Sequence, residues 1–117
     1  MRPDDARKYL WDALRAAELA RRFASGRSYA EYEEDPMLRS AVERQLEIIG
    51  EALNRLSKAD PSIASRIPDL RRVVAFRNIL IHGYVIVDNA LVWQLLSERL
   101  PELERVVRAL LPGEPQE

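Results

Sequence analysis

The 117-residue chain has no cysteine and a single histidine, His82. The missing thiols exclude disulfides, thiolate metal sites and cysteine nucleophiles. With one imidazole per chain, histidine-based acid–base chemistry within a protomer has to use His82 alone. Neither a second histidine nor a carboxylate cluster at ligand spacing accompanies His82, so we expect no metal site.

Long apolar runs and the glycine-rich motifs of nucleotide-binding enzymes are also missing. No segment approaches the roughly 18 apolar residues that are needed to cross a bilayer. The N-terminal stretch is acidic where a signal peptide needs an apolar run. A P-loop, a dinucleotide-binding turn and a GxSxG elbow are absent. We therefore expect a cytoplasmic protein with no membrane segment and no bound cofactor.

The charge balance does not indicate a nucleic-acid-binding domain. Eighteen basic and 19 acidic residues give a formal net charge of −1 and a pI near 5.9. Proteins that bind nucleic acid through bulk electrostatics usually carry a basic domain or stripe, and DNA is not an expected partner. An RNA partner would have to be held by a local basic patch.

What the chain does have is apolar residues at helical spacing. The spacing predicts a first helix over residues 4–24 and a second over 36–58, with a break between them. A third helix is predicted through the sequence "LRRVVAFRNILI", with Gly83 as its stop. The fourth helix begins after Asp88.

Aspartates mark the predicted helix starts. Asp35 and Asp60 each precede a proline, which is a favourable combination of an N-cap and a first helical residue. The second of these pairs predicts a short extra turn of helix. Pro101 removes a backbone donor within the fourth apolar pattern and predicts a kink or break there.

The predicted fold class is all-α, an antiparallel four-helix bundle with a short extra helical turn. One domain is expected over residues 1–111, and residues 112–117 are expected to fray. Gly50 lies inside the second helix, where glycine costs roughly 1 kcal/mol relative to alanine. Close approach of another backbone would compensate, either from the first helix or from the second helix of another copy.

The stretch "RNILIHGY", residues 77–84, combines Arg77, Asn78 and His82 with large apolar residues. On a regular helix residues five apart are about 140° out of phase, so Arg77 and His82 converge only if the helix ends near His82. Such a pair can cleave RNA without metal, with arginine stabilising the phosphate charge and histidine moving protons. A second histidine would come from a symmetric dimer. Alternatively, both residues are ordinary surface or capping groups.

Neighbouring residues have simpler readings. We expect Phe76 and Ile81 to belong to the core. Glu47, Glu51 and Asn54 are expected on one flank of the second helix, as surface or dimer-interface groups or, as the lesser alternative, as groups that line the cleft. Arg71 and Arg72 are expected to form a solvated face or a phosphate track. The acidic "EYEED" at 31–35 is expected to be a solvated loop that also caps the second helix.

The stretch matches the Arg-x4-His-x-Tyr pattern of the HepT toxins in the HEPN superfamily. The resemblance extends over roughly residues 4–110, and it includes the "IGEA" segment of the second helix. It implies a HEPN-like homodimeric bundle that cleaves RNA as a toxin, without metal, with catalytic Arg77 and His82 in the dimer cleft. Asn78 would be a supporting polar residue.

The resemblance also implies a partner. HepT-like toxins are neutralised by MntA, a nucleotidyltransferase antitoxin that uses ATP to add AMP to the tyrosine of the motif. By position this tyrosine is Tyr84. An adenylate two residues from His82 would place negative charge and bulk where an RNA phosphate has to bind. The alternative is a non-catalytic scaffold partner or substrate of the nucleotidyltransferase, in which Arg77 and His82 bind a nucleotide. A purely structural bundle is the third possibility.

Overall fold

The computed structural model describes residues 3–82 and 86–111 of the chain. Within these ranges the protein is helical and contains no strand. The helices are α1 (Pro3–Ala24), α2 (Tyr29–Glu34), α3 (Pro36–Ala59), α4 (Pro61–Ala64), α5 (Leu70–His82), α6 (Asn89–Gln94) and α7 (Leu100–Ala109). They form the all-α bundle that the apolar spacing predicted. Gly83, Tyr84 and the tail 112–117 lie outside the described residues.

The bundle is organised around α3, which packs against α1 on one side and α5 on the other. The helix begins at Pro36, where the Asp35 carboxylate accepts a hydrogen bond from the backbone N–H of Leu38 at 3.0 Å. Its inner face is fully buried at Val42, Ile49, Leu53 and Leu56. Burying one such side chain contributes about 1.5–3 kcal/mol. On α1 the opposing face is rich in alanine, which allows the two helices to approach closely: Ala13, Ala16, Ala17 and Ala20.

The segment between α1 and α3 contains a helix that the prediction treated as a loop. Ser28 forms a capping box with Glu31: its hydroxyl accepts the Glu31 N–H at 3.1 Å, and the Glu31 carboxylate accepts the Ser28 N–H at 2.8 Å. Tyr32 is fully buried, with its ring 5.3 Å from that of Trp93. The solvated-loop interpretation of residues 31–35 was therefore wrong for α2, because one aromatic anchor and one capping box suffice for a six-residue helix.

The remaining start and break signals are confirmed. Asp60 caps α4, and Asp88 caps α6 by accepting the N–H of Leu91 at 3.1 Å. Before Pro101 the chain winds as a π-helical turn, Leu95–Arg99, and the α-helix resumes at Leu100. The proline cannot donate to the carbonyl four residues earlier, which explains the changed winding at this point.

The last helix closes the bundle against α1. Arg21 of α1 donates to the carboxylate of Glu104 on α7 at 2.9 Å, and Glu104 is buried. A buried carboxylate without such a partner would be strongly destabilising. Among residues 3–82 and 86–111, none of the helices is long and apolar enough to cross a membrane.

Candidate functional site

The predicted site residues within the described chain all lie on the C-terminal half of α5. This helix buries Val73, Phe76 and Leu80 against the bundle, so the prediction that Phe76 is a core residue is confirmed. The core prediction for Ile81 was wrong, because its side chain is 51% exposed. It lies next to the buried Leu80 in the last turn of α5.

Arg77 lies on the flank of α5 that faces α3. Its Nη2 donates to the Glu51 carboxylate at 2.5 Å, and its Nη1 donates to the side-chain oxygen of Asn78 at 2.9 Å. The Arg77 side chain is 23% exposed. A guanidinium has five N–H donors, so these two contacts hold Arg77 in place and leave donors for an anionic ligand.

Gly50 allows α3 and α5 to come this close. A Cβ atom at Gly50 would lie 2.3 Å from the Cβ and 2.8 Å from the Cγ of Arg77, and 3.2 Å from the Val73 carbonyl oxygen. The expected backbone approach is therefore present within one chain, but the partner is α5. The prediction of a partner in the first helix was wrong, because spacing along α3 does not reveal which helix lies opposite, and a contact with a second copy stays a prediction.

Glu51 accepts hydrogen bonds from two arginines. Besides Arg77, Arg55 donates its Nε to the Glu51 carboxylate at 2.6 Å. The Arg55 hydrogen bond, together with the charge of Arg77, lowers the pKa of Glu51. Glu51 is therefore ionised at neutral pH, and it supplies a fixed negative charge that orients the Arg77 guanidinium.

His82 is the last residue of α5 and is exposed. The chain is no longer helical at residues 86–88, so the helix ends within a few residues of His82, as predicted. The chain is nevertheless helical throughout residues 77–82, so the Arg77 and His82 side chains leave the helix about 140° apart around its axis. Arg77 and Asn78 are in direct contact, whereas His82 projects from a different direction at the helix end.

Among residues 3–82 and 86–111, two surface grooves border this part of α5. The first, here called the α1 groove, has a volume of about 560 Å³ and is bordered by α1, α3 and α5, with Arg77 and Ile81 in its wall. The second, the α4 groove, has a volume of about 870 Å³ and lies between α3, α4 and α5, with Asn78 at one end. Within the described part of the chain there is no group of three metal-ligating residues.

Sequence reasoning missed the roles of Gly50 and Glu51 in this site. Glu51 was expected at the surface or in a dimer interface, with a place in the cleft as the lesser alternative, and its contact with Arg77 was not predicted. The available signal was the adjacency of the two residues: a glycine at a helix-interior position indicates a close neighbour, and the carboxylate beside it can reach that neighbour.

Comparison with known proteins identifies the family. Residues 13–110 match the family model described as "Ribonuclease HepT-like". The chain belongs to the HepT-like ribonuclease family. The match includes both α3 and the whole Arg77–His82 stretch of α5.

Individual relatives are similar over most of their length. A protein of Caldanaerobacter subterraneus subsp. tengcongensis named "Putative RNase" is 34% identical over 92% of this chain and 96% of its own. A "Putative RNase" of Methanocaldococcus jannaschii is 33% identical over 88% of this chain and 94% of its own. The "Probable ribonuclease HepT" of Thermococcus cleftensis is 33% identical over 82% of this chain and 86% of its own. No solved structure matches the chain.

Proposed function

We propose that this HepT-like protein is a metal-independent endoribonuclease toxin that cleaves RNA with Arg77 and His82 in a homodimer cleft. The observation that carries the proposal is the family match over residues 13–110, which spans the complete Arg-x4-His motif. The contacts of Arg77 give further support, because Glu51 and Asn78 hold a guanidinium at the surface with donors to spare.

The proposed reaction is attack by the ribose 2′-hydroxyl on the adjacent phosphorus. The bond from phosphorus to the 5′-oxygen breaks, which gives a 2′,3′-cyclic phosphate and a 5′-hydroxyl end. Arg77 stabilises the negative charge that develops on the phosphoryl oxygens. One His82 imidazole takes the proton of the 2′-hydroxyl, and a protonated imidazole gives a proton to the leaving 5′-oxygen. Asn78 orients Arg77.

A homodimer is proposed because one protomer offers one imidazole for two proton transfers. The different directions of Arg77 and His82 on α5 agree with a site that is completed by a second protomer. Exposed apolar side chains near the site give further support, because large exposed apolar groups are typical of interaction surfaces. They are Ile79, Ile81 and Ile86, which are 38%, 51% and 94% exposed.

The proposed regulation is AMP addition to Tyr84 by an MntA-like nucleotidyltransferase in the cytoplasm. Support comes from the sequence, in which Tyr84 follows His82 by two residues in the Arg-x4-His-x-Tyr pattern. An adenylate two residues from His82 adds negative charge and bulk, and both oppose the binding of an RNA phosphate by His82 and Arg77.

Cleavage of a fluorescent RNA in the presence of EDTA tests the activity. We expect the wild-type protein to cut, and Arg77→Ala and His82→Ala to lose at least about a hundredfold in rate. Arg15→Ala is the matched control, because Arg15 is exposed on α1 and lines neither groove. A 2′-O-methyl group at the cleaved position should block the cut. RNA left intact by the wild-type protein would contradict the proposal.

Mixed dimers test the shared cleft. Wild-type and His82→Ala chains with different affinity tags can be co-expressed, and the mixed species isolated by two successive purifications. If one cleft uses both imidazoles, the mixed dimer should be nearly as inactive as the His82→Ala dimer. Retention of half the wild-type rate would indicate a complete site in each protomer and would contradict the shared cleft.

Intact mass measured with and without a co-expressed MntA-like nucleotidyltransferase tests the regulation. We expect AMP-sized increments that map to Tyr84, disappear in Tyr84→Phe and coincide with loss of RNA cleavage. A protein that binds ATP or AMP but leaves RNA uncut would instead support a non-catalytic nucleotide-binding partner.

A further inference from the structure

The α4 groove is the larger of the two grooves beside the candidate site. One wall is formed by α5, from Arg71 through Val74 to Asn78. These residues are three and four positions apart, so they share one face of the helix. Arg71 and Asn78 are separated by two helical turns, or about 10.5 Å. Because Asn78 contacts Arg77, the groove begins at the candidate site and leads away from it toward Arg71.

The two grooves differ in charge. In the α1 groove each cation already has a carboxylate partner: Lys8 pairs with Asp12 at 2.8 Å, Arg44 with Glu47 at 3.2 Å, and Arg55 and Arg77 with Glu51 at 2.6 and 2.5 Å. Apart from the spare donors of Arg77, these carboxylates offset the positive charge that would attract the rest of an RNA backbone. The α1 groove is therefore a poor site for a nucleic-acid backbone.

The α4 groove carries an excess of positive charge. Its charged lining residues are Arg71, Arg72 and Asp69. The Asp69 carboxylate forms ion pairs with Arg72, whose Nε lies 3.8 Å away, and with Arg99, whose Nη1 lies 4.0 Å away. Arg71 is exposed and has no ion-pair partner among residues 3–82 and 86–111. In a chain of net charge −1, this arginine is well placed to contact a phosphate.

The opposite wall offers groups that can contact bases. Asn54 can donate and accept hydrogen bonds through its side-chain amide. The hydroxyl of Ser57 donates to the Asn54 carbonyl at 2.8 Å and keeps its acceptor capacity. On the α5 wall, Leu70 and Val74 add apolar surface. Phosphate contacts from arginine together with base contacts in a concave site are typical of single-stranded RNA recognition.

We propose that the α4 groove binds the single-stranded RNA that flanks the cleaved phosphate, with Arg71 contacting a backbone phosphate two helical turns from Asn78. This inference rests on the proposed ribonuclease function and extends it by assigning the path of the substrate. It also accounts for RNA binding by a protein without an overall basic charge.

Binding of a fluorescein-labelled 12-nucleotide RNA, followed by anisotropy at several salt concentrations, tests the groove. The measurement uses the His82→Ala background so that the RNA stays intact. Loss of one phosphate contact on a single strand should reduce the slope of log K against log salt by about 0.7. If binding is equal at 1 M salt, Arg71→Ala should then weaken affinity about fivefold at 0.1 M. Arg71→Lys should keep the slope, and Arg15→Ala should change neither quantity.

The outcomes separate this inference from the proposed function. If the wild-type protein cuts RNA but Arg71→Ala and Arg15→Ala bind it alike, the groove assignment is wrong and the ribonuclease assignment stands. If RNA stays uncut but Arg71→Ala alone lowers the salt slope, the groove is supported as an RNA site and the nuclease assignment fails. Absence of RNA binding by every variant would overturn the groove.

Discussion

Replacing Gly50 by alanine should displace Arg77, and its effect can be worked out from the structure. The new methyl carbon would lie 2.3 Å from the Cβ of Arg77, whereas carbon atoms in contact are about 3.5–4.0 Å apart. The helices α3 and α5 must therefore separate locally by about 1 Å. The Cβ of Arg77 and the Val73 carbonyl are fixed to the α5 backbone and cannot rotate away.

Two opposing contributions determine the stability of Gly50→Ala. Overpacking destabilises by about 1–3 kcal/mol, and replacing glycine within a helix stabilises by about 1 kcal/mol. We expect a net loss of about 0–2 kcal/mol in the free energy of unfolding. The effect on RNA cleavage should be larger, about a hundredfold, since a displacement of 1 Å in the catalytic Arg77 can have that consequence.

Denaturant unfolding and RNA cleavage are measured on Gly50→Ala, Arg77→Gly and the double variant. Arg77→Gly removes the two carbon atoms that the new methyl would strike. In the Arg77→Gly background, Gly50→Ala should stabilise the protein by up to about 1 kcal/mol. The difference between this effect and the destabilising effect of Gly50→Ala in the wild type measures the clash between residues 50 and 77. A Gly50→Ala protein that is more stable than the wild type and cleaves RNA at the full rate would show that a methyl group at position 50 does not displace Arg77.

Three further predictions concern charge, burial and capping. Arg55 and Arg77 lower the pKa of Glu51, so the ionised Glu51 carboxylate stabilises the fold above the unfolded-state pKa of about 4.3, and this stabilisation is lost as the pH falls through the lower folded-state pKa. The free energy of unfolding of the wild type, measured in denaturant, should therefore fall more steeply below about pH 4 than that of Glu51→Gln. Parallel pH curves for the two proteins would contradict this. Tyr32→Phe removes a buried hydroxyl that has no hydrogen-bond partner in the described structure. In thermal unfolding, the Tyr32→Phe protein should be as stable as the wild type or more stable by up to about 1 kcal/mol. Tyr32→Ala, which also removes the buried ring, should lose about 3–5 kcal/mol. Asp88→Ala removes the α6 cap and should lower stability by about 1 kcal/mol while Asp88→Asn retains most of it; equal losses for both variants would argue against the cap.

Local signals in the sequence were sufficient for most helix bounds. The predicted second helix, 36–58, matches Pro36–Ala59 because Asp35 and Pro36 act within one turn of the helix they begin. The break near Pro101 followed in the same way from a missing backbone donor. The helix Tyr29–Glu34 was missed because it is too short for a periodic apolar pattern and depends on the contact of Tyr32 with the distant Trp93.

The candidate site was only partly predictable. The Arg77–His82 motif and the helix end could be read from one stretch of chain. The link from Arg77 to Glu51 joins residues 26 positions apart, and it depends on how α3 and α5 pack. Ile81 was misassigned because an apolar side chain at a helix end has fewer neighbours than periodicity implies. The Tyr84 prediction lies outside the described residues.

Cleavage of RNA by the purified, unmodified protein in EDTA tests the central claim most directly. The account predicts cuts that leave 2′,3′-cyclic phosphate ends, and loss of at least about a hundredfold in rate for Arg77→Ala and His82→Ala but not for Arg15→Ala. Intact RNA, or equal cleavage by wild type and all three variants, would contradict the assignment of ribonuclease activity to these residues.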